Sequence, residues 1–289
     1  RISPARSSDG VGPAEPASYV RHGWGPARDF VEHAGAPGSR VGHPVRHPDD
    51  LAAAPPQTWL VFLDDAGVGG RLVKRLRGAG QRVVEVVAGD AFARTAEDRY
   101  VLAAEHGRDD YDALIRDLVA RGAAPSRVVH LWLVTAAETF RPGSSFFHRN
   151  QERGFFSLLF LAQAMSAENL PGPLHVTVVT SGAAQVRGEA LPYPERAPVL
   201  GPVRVIPREL PGVTCASLGV ALPAADAGVA RIGRRAKVGE ALDRLAGRVL
   251  EEVLAAPSCH VAALRGDKRF ELAFRHQPLP QTEAPVLRD

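Results

Sequence analysis

Lysine is nearly missing from this chain: Lys74, Lys237 and Lys268 stand alone within a combined Lys and Arg total of 35. The net charge is +3 and the sequence pI about 9.1, a balance that would suit nucleic acid. That excess is spread thinly, however, and Arg, Ala, Gly and Pro are all abundant, as in a bacterial GC-rich coding sequence. The one tight basic cluster, RIGRRAK at 231–237, has no aromatic residues interleaved to stack bases and reads as a solvated loop. Nucleic acid is therefore excluded as a partner. Cysteine is equally scarce. Cys215 and Cys259 cannot make a disulfide framework and form no CxxC pair for a metal. Both fall in apolar runs, which predicts two buried free thiols in a reducing cytoplasm. No run of about 18 apolar residues exists, so no membrane span is expected. The opening RISPARSSDGVGPAEPAS has no apolar core of a secretory signal.

Between two linker-like ends, strand-type and helix-type patterns alternate. Residues 1–57 carry no sustained periodicity and read as a linker and lead-in, with one edge strand around Tyr19–Trp24. His22, His33, His43 and His47 match no zinc spacing and are read as ordinary surface histidines. From Trp59 the chain becomes regular. WLVFL (59–63), RVVEVV (82–87), RVVHLWLV (127–134), LHVTVVTS (174–181) and VTCASLGV (213–220) are short apolar runs suited to buried parallel strands. FARTAEDRYVLA (92–103) reads as a hairpin turning at 96–98.

Helical spacing recurs between the strands. Leu72, Val73 and Leu76 face one way while Arg71, Lys74, Arg75 and Arg77 face the other, and Gly78 and Gly80 supply a stop. DDYDALIRDLVARG (109–122) opens with a capping aspartate and puts Leu114, Ile115, Leu118 and Val119 on one stripe. The stretch 146–168 is apolar on nearly every side and predicts a helix buried on more than one face. GEALDRLAGRVLEEVLAA (239–256) is amphipathic through Leu242, Leu245, Val249, Leu250, Val253 and Leu254. HVAAL (260–264) and RFELAFR (269–275) flank a GDK turn. This alternation predicts an α/β fold with a Rossmann-like, doubly wound, mostly parallel sheet.

Two constellations invite a catalytic reading, and each lacks a part. A dinucleotide loop needs GxGxxG directly after the first strand, so that backbone amides meet the pyrophosphate. Here Asp64, Asp65 and Ala66 come first and Gly67, Gly69 and Gly70 cluster late. Two carboxylates repel a pyrophosphate, so the glycines are assigned to a tight strand–helix turn. Ser181 ends a strand and Tyr193 follows twelve positions on, the placement used by short-chain reductases. Those enzymes carry a lysine four residues past the tyrosine; position 197 is Ala, and the prolines of LPYPERAP break the helix that would hold the pair. Without that lysine the tyrosine lacks the cation that makes it an acid–base group in such enzymes. Asp109, Asp110 and Asp112 are assigned to a helix start rather than to a metal. No catalytic, cofactor-binding or metal residue is assigned, and no cofactor is expected.

WLVFLDDAGVGGRLVKRLRGAGQRVVEV, RVVHLW, FFSLLFLAQA, VVTSGAAQVRGE and, most specifically, GPVRVIPRELPGVTCASLGV together resemble the structural subdomain of type I polyketide synthase ketoreductases. The closing FELAFRHQPLP is similar to the family's exit into a Pro linker, and the likeness covers about residues 58–280. The opening departs from it: the family's WFYVPxWxR stands against SYVRHGWGPARDF. The resemblance implies a truncated, degenerate short-chain reductase unit that binds no nucleotide and supports a catalytic half beginning after Asp289. In that position an inserted methyltransferase or enoylreductase is the other arrangement. It further implies a linker over 1–57, the subdomain over 58–276 and a linker over 277–289. The implied partner is the catalytic half or an adjacent synthase domain of the same polypeptide, with contact to an acyl carrier protein only indirect. Two other readings stay open: an NADPH-dependent β-ketoacyl thioester reductase with a variant site, and a docking or dimerisation module.

Overall fold

The computed structural model describes residues 28–32, 48–136, 144–223 and 231–274. In chain order these form β1 (Arg28–Glu32), α1 (Pro48–Ala53), β2 (Thr58–Phe62), α2 (Val68–Gly78), β3 (Arg82–Ala88), β4 (Ala93–Ala96), β5 (Arg99–Leu102), α3 (Asp109–Ala120) and β6 (Arg127–Leu133). There follow α4 (Ser144–Gln151), α5 (Ser157–Ala167), β7 (Leu174–Ser181), α6 (Leu200–Glu209), β8 (Val213–Val220), α7 (Arg231–Leu254), β9 (Val261–Arg265) and β10 (Lys268–Phe274). The strands make one sheet in the order β1-β10-β9-β8-β7-β6-β2-β3-β5-β4. From β5 to β9 every neighbouring pair is parallel, while β4, β10 and β1 add antiparallel edges. The chain winds outward from β2 to β5, then returns to β6 on β2's other side, so the topological switch point lies between β2 and β6.

Alternate residues of each strand feed two separate cores, as the two-residue period of a strand requires. Trp59, Val61, Val129, Val179 and Leu218 pack beneath α2 and α7. Leu60, Phe62, Val128, Val176 and Cys215 pack beneath α3, α5 and α6. A sheet covered on both faces explains why its strands are almost unbroken apolar runs. The crossover from β3 to β5 holds the hairpin strand β4 in place of a helix, which is where this Rossmann-like unit is shortened.

Several local expectations change. The Tyr19–Trp24 strand and the four N-terminal histidines lie outside the described residues, and the edge strand found in that part of the chain is β1, paired with β10. RIGRRAK forms the first turns of α7 instead of a loop. No aspartate side chain caps α3; Asp110 instead accepts the Ala103 N–H at 2.9 Å and Asp112 pairs with Arg108 at 3.0 Å. Val119 is exposed and Tyr111 takes its place in the buried stripe. The apolar stretch 146–168 is not one helix, because a π-helical turn over Glu152–Phe156 separates α4 from α5. That turn sets Gly154 against β6, where a Cβ would lie 2.7 Å from Leu133 Cδ1. Within the chain α5 buries Leu158, Leu161, Ala164 and Met165, while Phe155, Leu159 and Phe160 stay half-buried and Phe156 is exposed. Cys215 is buried as expected, but Cys259 is exposed, since it precedes β9 rather than lying within it.

Candidate functional site

The switch point presents the loop 63–67 and the N-terminus of α2, whose first amides have no partner within the helix. Asp64 turns inward and fills this position. Its Oδ2 accepts the Val68 N–H at 3.0 Å and its Oδ1 the Gly69 N–H at 2.5 Å. Burial raises the Asp64 carboxyl above its ordinary range, against the lowering effect of these backbone donors. Gly67 sits at φ +86°, which only glycine adopts at little strain. Gly69 is required by closeness: a Cβ there would lie 2.9 Å from Asp64 Oδ1 and 3.0 Å from Leu63 Cδ2. Gly70 has open space around it and does not serve the turn, contrary to its assignment from sequence. Asp65 points outward and pairs with Arg153 at 3.3 Å.

Across the switch point, Ser181 and Tyr193 do come together, through a residue that the sequence reading passed over. Arg196 is 1% exposed. Its Nη1 donates to Leu133 O (3.1 Å), Ser181 O (2.8 Å) and Ser181 Oγ (3.0 Å). Its Nε donates to Asn150 Oδ1 (2.9 Å) and its Nη2 to Thr135 Oγ1 (2.7 Å). The guanidinium carbon lies 4.0 Å from the centroid of the Tyr193 ring. The Ser181 hydroxyl is further occupied by the Thr135 N–H and by Leu133 O, each at 3.3 Å. Tyr193 precedes a 3-10 turn over Pro194–Val199 rather than riding on an α-helix, as the prolines required. The chemistry available here is that of a polar keystone: planar donors tie the ends of β6 and β7 to α4 and to the Tyr193 loop.

The loop after β7 is held from the other side as well. Arg265 grips Glu189 through Nε at 2.8 Å and donates to Ala184 O at 2.9 Å and Gly219 O at 3.2 Å. Burial works against the Glu189 carboxylate, but the Arg265 guanidinium prevails and holds its pKa below the ordinary range. Beside the carboxyl ends of β3 and β5 lies a cleft of about 330 Å³ lined by Gly89, Asp90, Glu105, Arg149, Glu152 and Arg153, residues of both signs. Among the described residues no cluster of His, Cys, Asp and Glu is arranged to hold a metal, and no helix is long and apolar enough to cross a membrane.

The fold is shared with known ketoreductases. A multidomain structure with the adenylation, ketoreductase and pseudo Asub parts of a keto acid-selecting NRPS module superposes on 86% of this chain at TM-score 0.66 and 21% identity. An N-terminal ketoreductase from the macrolactin assembly line superposes on 88% at TM-score 0.59 and 17% identity. The chain spans only 18% and 45% of the lengths of those two structures. No curated protein matches it. At these identities the likeness is one of fold, and it agrees with the Rossmann-like, doubly wound sheet expected from sequence. Membership is carried by the family model described as β-ketoacyl synthase-like, N-terminal, which matches residues 57–222, more than half of the chain and everything from β2 through β8. The chain belongs to the β-ketoacyl synthase-like, N-terminal family.

Proposed function

We propose that this chain is the non-catalytic structural subdomain of a polyketide synthase ketoreductase, spanning 58–276 between linkers, and that it supports a neighbouring catalytic half during chain elongation. The observation that carries this reading is Asp64. Its carboxylate holds the α2 amides that a dinucleotide fold offers to the pyrophosphate, so a resident anion stands where the cofactor's would bind. The residues present do not fit NADPH. Ala197 in the lysine position and the commitment of Ser181 and Tyr193 to Arg196 support the same reading. Two exposed aromatic side chains, Phe147 and Phe156, are available for contact with the supported domain.

A titration of the chain with NADPH, followed by nicotinamide fluorescence, tests the proposal. No change is expected up to micromolar ligand, and thermal stability of the catalytic half rises when this chain is added. Saturable binding would overturn the reading in favour of a variant reductase. Turnover of a β-ketoacyl thioester, lost in Tyr193→Phe, would establish that alternative.

A further inference from the structure

The connection from α7 to β9 brings a serine, a histidine and a glutamate together. Glu252 lies in the last turn of α7, and the loop that follows carries Ser258 and His260 back to the amino end of β9. His260 O accepts the Ser217 N–H of β8 at 3.0 Å, which fixes the backbone that carries the imidazole. The ring itself is engaged at both nitrogens: Nδ1 is hydrogen-bonded to Ser258 Oγ, and Nε2 faces Glu252 Oε2 at 3.7 Å. A carboxylate in the last turn opposes the helix dipole, so the helix gains nothing from Glu252. Its Oε1 instead accepts Arg269 Nε at 2.7 Å, and Arg269 also pairs with Glu271 at 3.1 Å. Burial works against the Glu252 charge, but His260 and Arg269 outweigh it and hold the carboxyl below its ordinary range. An anionic Glu252 accepts and cannot donate. The neutral imidazole therefore carries its proton on Nε2 and turns the Nδ1 lone pair to the Ser258 hydroxyl. Ser258 is half-buried, between exposed Pro257 and exposed Cys259.

We propose that Ser258 is a nucleophile toward activated acyl esters, with His260 as its base and Glu252 as the residue that positions the imidazole. A hydroxyl within hydrogen-bond reach of a base, the base in turn held by a third group, is the arrangement that activates a serine. As Ser258 Oγ attacks the acyl carbon, its proton passes to His260 Nδ1. The bond from that carbon to the leaving oxygen breaks, and the imidazolium gives the proton to the departing alcohol. Water then repeats the exchange on the acyl-serine: His260 takes a proton from water, the hydroxide adds to the acyl carbon, and Ser258 leaves with the returned proton as the free acid is released. The site lies at the amino ends of the parallel strands, opposite Asp64, and is independent of the proposed function, which concerns ketone reduction.

Labelling of the unsubstituted chain with diisopropyl fluorophosphate, read by intact mass and peptide mapping, tests this together with turnover of p-nitrophenyl acetate. Attack by Ser258 Oγ on phosphorus expels fluoride, and the expected product carries a single diisopropylphosphoryl group, on Ser258. Ester turnover is expected to be lost on labelling and in Ser258→Ala, and to fall about a hundredfold in His260→Gln. Glu252→Gln, which keeps the shape but not the charge, is expected to slow labelling, and Glu252→Asp to restore part of the rate. A chain that takes no label, a label on another residue, or turnover that persists in Ser258→Ala at the unsubstituted rate would overturn the site.

Discussion

Arg196 shows how one side chain can join Ser181, Tyr193 and the ends of β6 and β7 in a single network. A buried guanidinium is tolerated only where its donors are satisfied, and five acceptor contacts from Leu133, Thr135, Asn150 and Ser181 do this within one planar fork. Lysine presents a single ammonium and cannot reach all of them. Arg196→Lys is therefore expected to destabilise the chain by about 3 kcal/mol, the scale of breaking a buried charged network. A shift of the urea midpoint at constant m-value measures it, and a loss below about 1 kcal/mol would show the fork to be dispensable. The residue was not legible in the sequence, because nothing distinguishes it among so many arginines except its place after Tyr193. Asp64 was legible only in part. Its repulsion toward a phosphate followed from charge alone, whereas its capture of the Val68 and Gly69 amides depends on a backbone turn that the sequence does not state.

At the scale of an element, α2 separates glycines by role. Gly69 lies where a Cβ would meet Asp64 Oδ1 and Leu63 Cδ2, while Gly70, one residue later, faces open space. Gly69→Ala is expected to displace the Asp64 carboxylate and lower stability by about 1–3 kcal/mol, the range for overpacking. Gly70→Ala is expected to raise it by about 0.5–1 kcal/mol, by removing glycine's entropy from a helix interior. Thermal unfolding of the pair gives opposite signs; equal signs would mean that the turn does not depend on Asp64. Elements whose apolar faces pack against the sheet, such as α2, α3 and the later turns of α7, were legible from spacing because burial itself sets that spacing. The π-helical turn ahead of α5 was not, since an extra residue in a helix depends on the fit of Gly154 to Leu133 rather than on a local pattern.

For the molecule as a whole, the doubly wound sheet was legible because its inner parallel strands, β2, β6, β7 and β8, are buried on both faces, whereas the pairing of β1 with β10 was not. The same burial encloses two histidines, which gives the fold a defined response to acid. His130 is fully buried beside Phe62 and Trp132, and its Nε2 meets Ser157 Oγ at 2.8 Å. Burial pushes its pKa from an ordinary 6.5 down to about 3. His175 lies at the start of β7 between Thr214 and Thr177. Burial, aided by the charges of Arg127 and His260, takes it down to about 4. Both folded-state values lie below the unfolded one, so the unfolded chain binds more protons as pH falls. Their stabilising effect is complete above pH 6.5 and is lost on acidification, through pH 4 for His175 and on toward pH 3 for His130. Each histidine should remove about 1.4 kcal/mol per pH unit within its window. The lowered carboxyls of Glu189 and Glu252 add to the loss only below about pH 4.5. Urea midpoints measured from pH 7 downward are expected to fall steeply below pH 6.5, and His175→Gln is expected to halve the slope between pH 6 and pH 5. A stability curve flat across that interval would mean that neither histidine is held neutral by the fold.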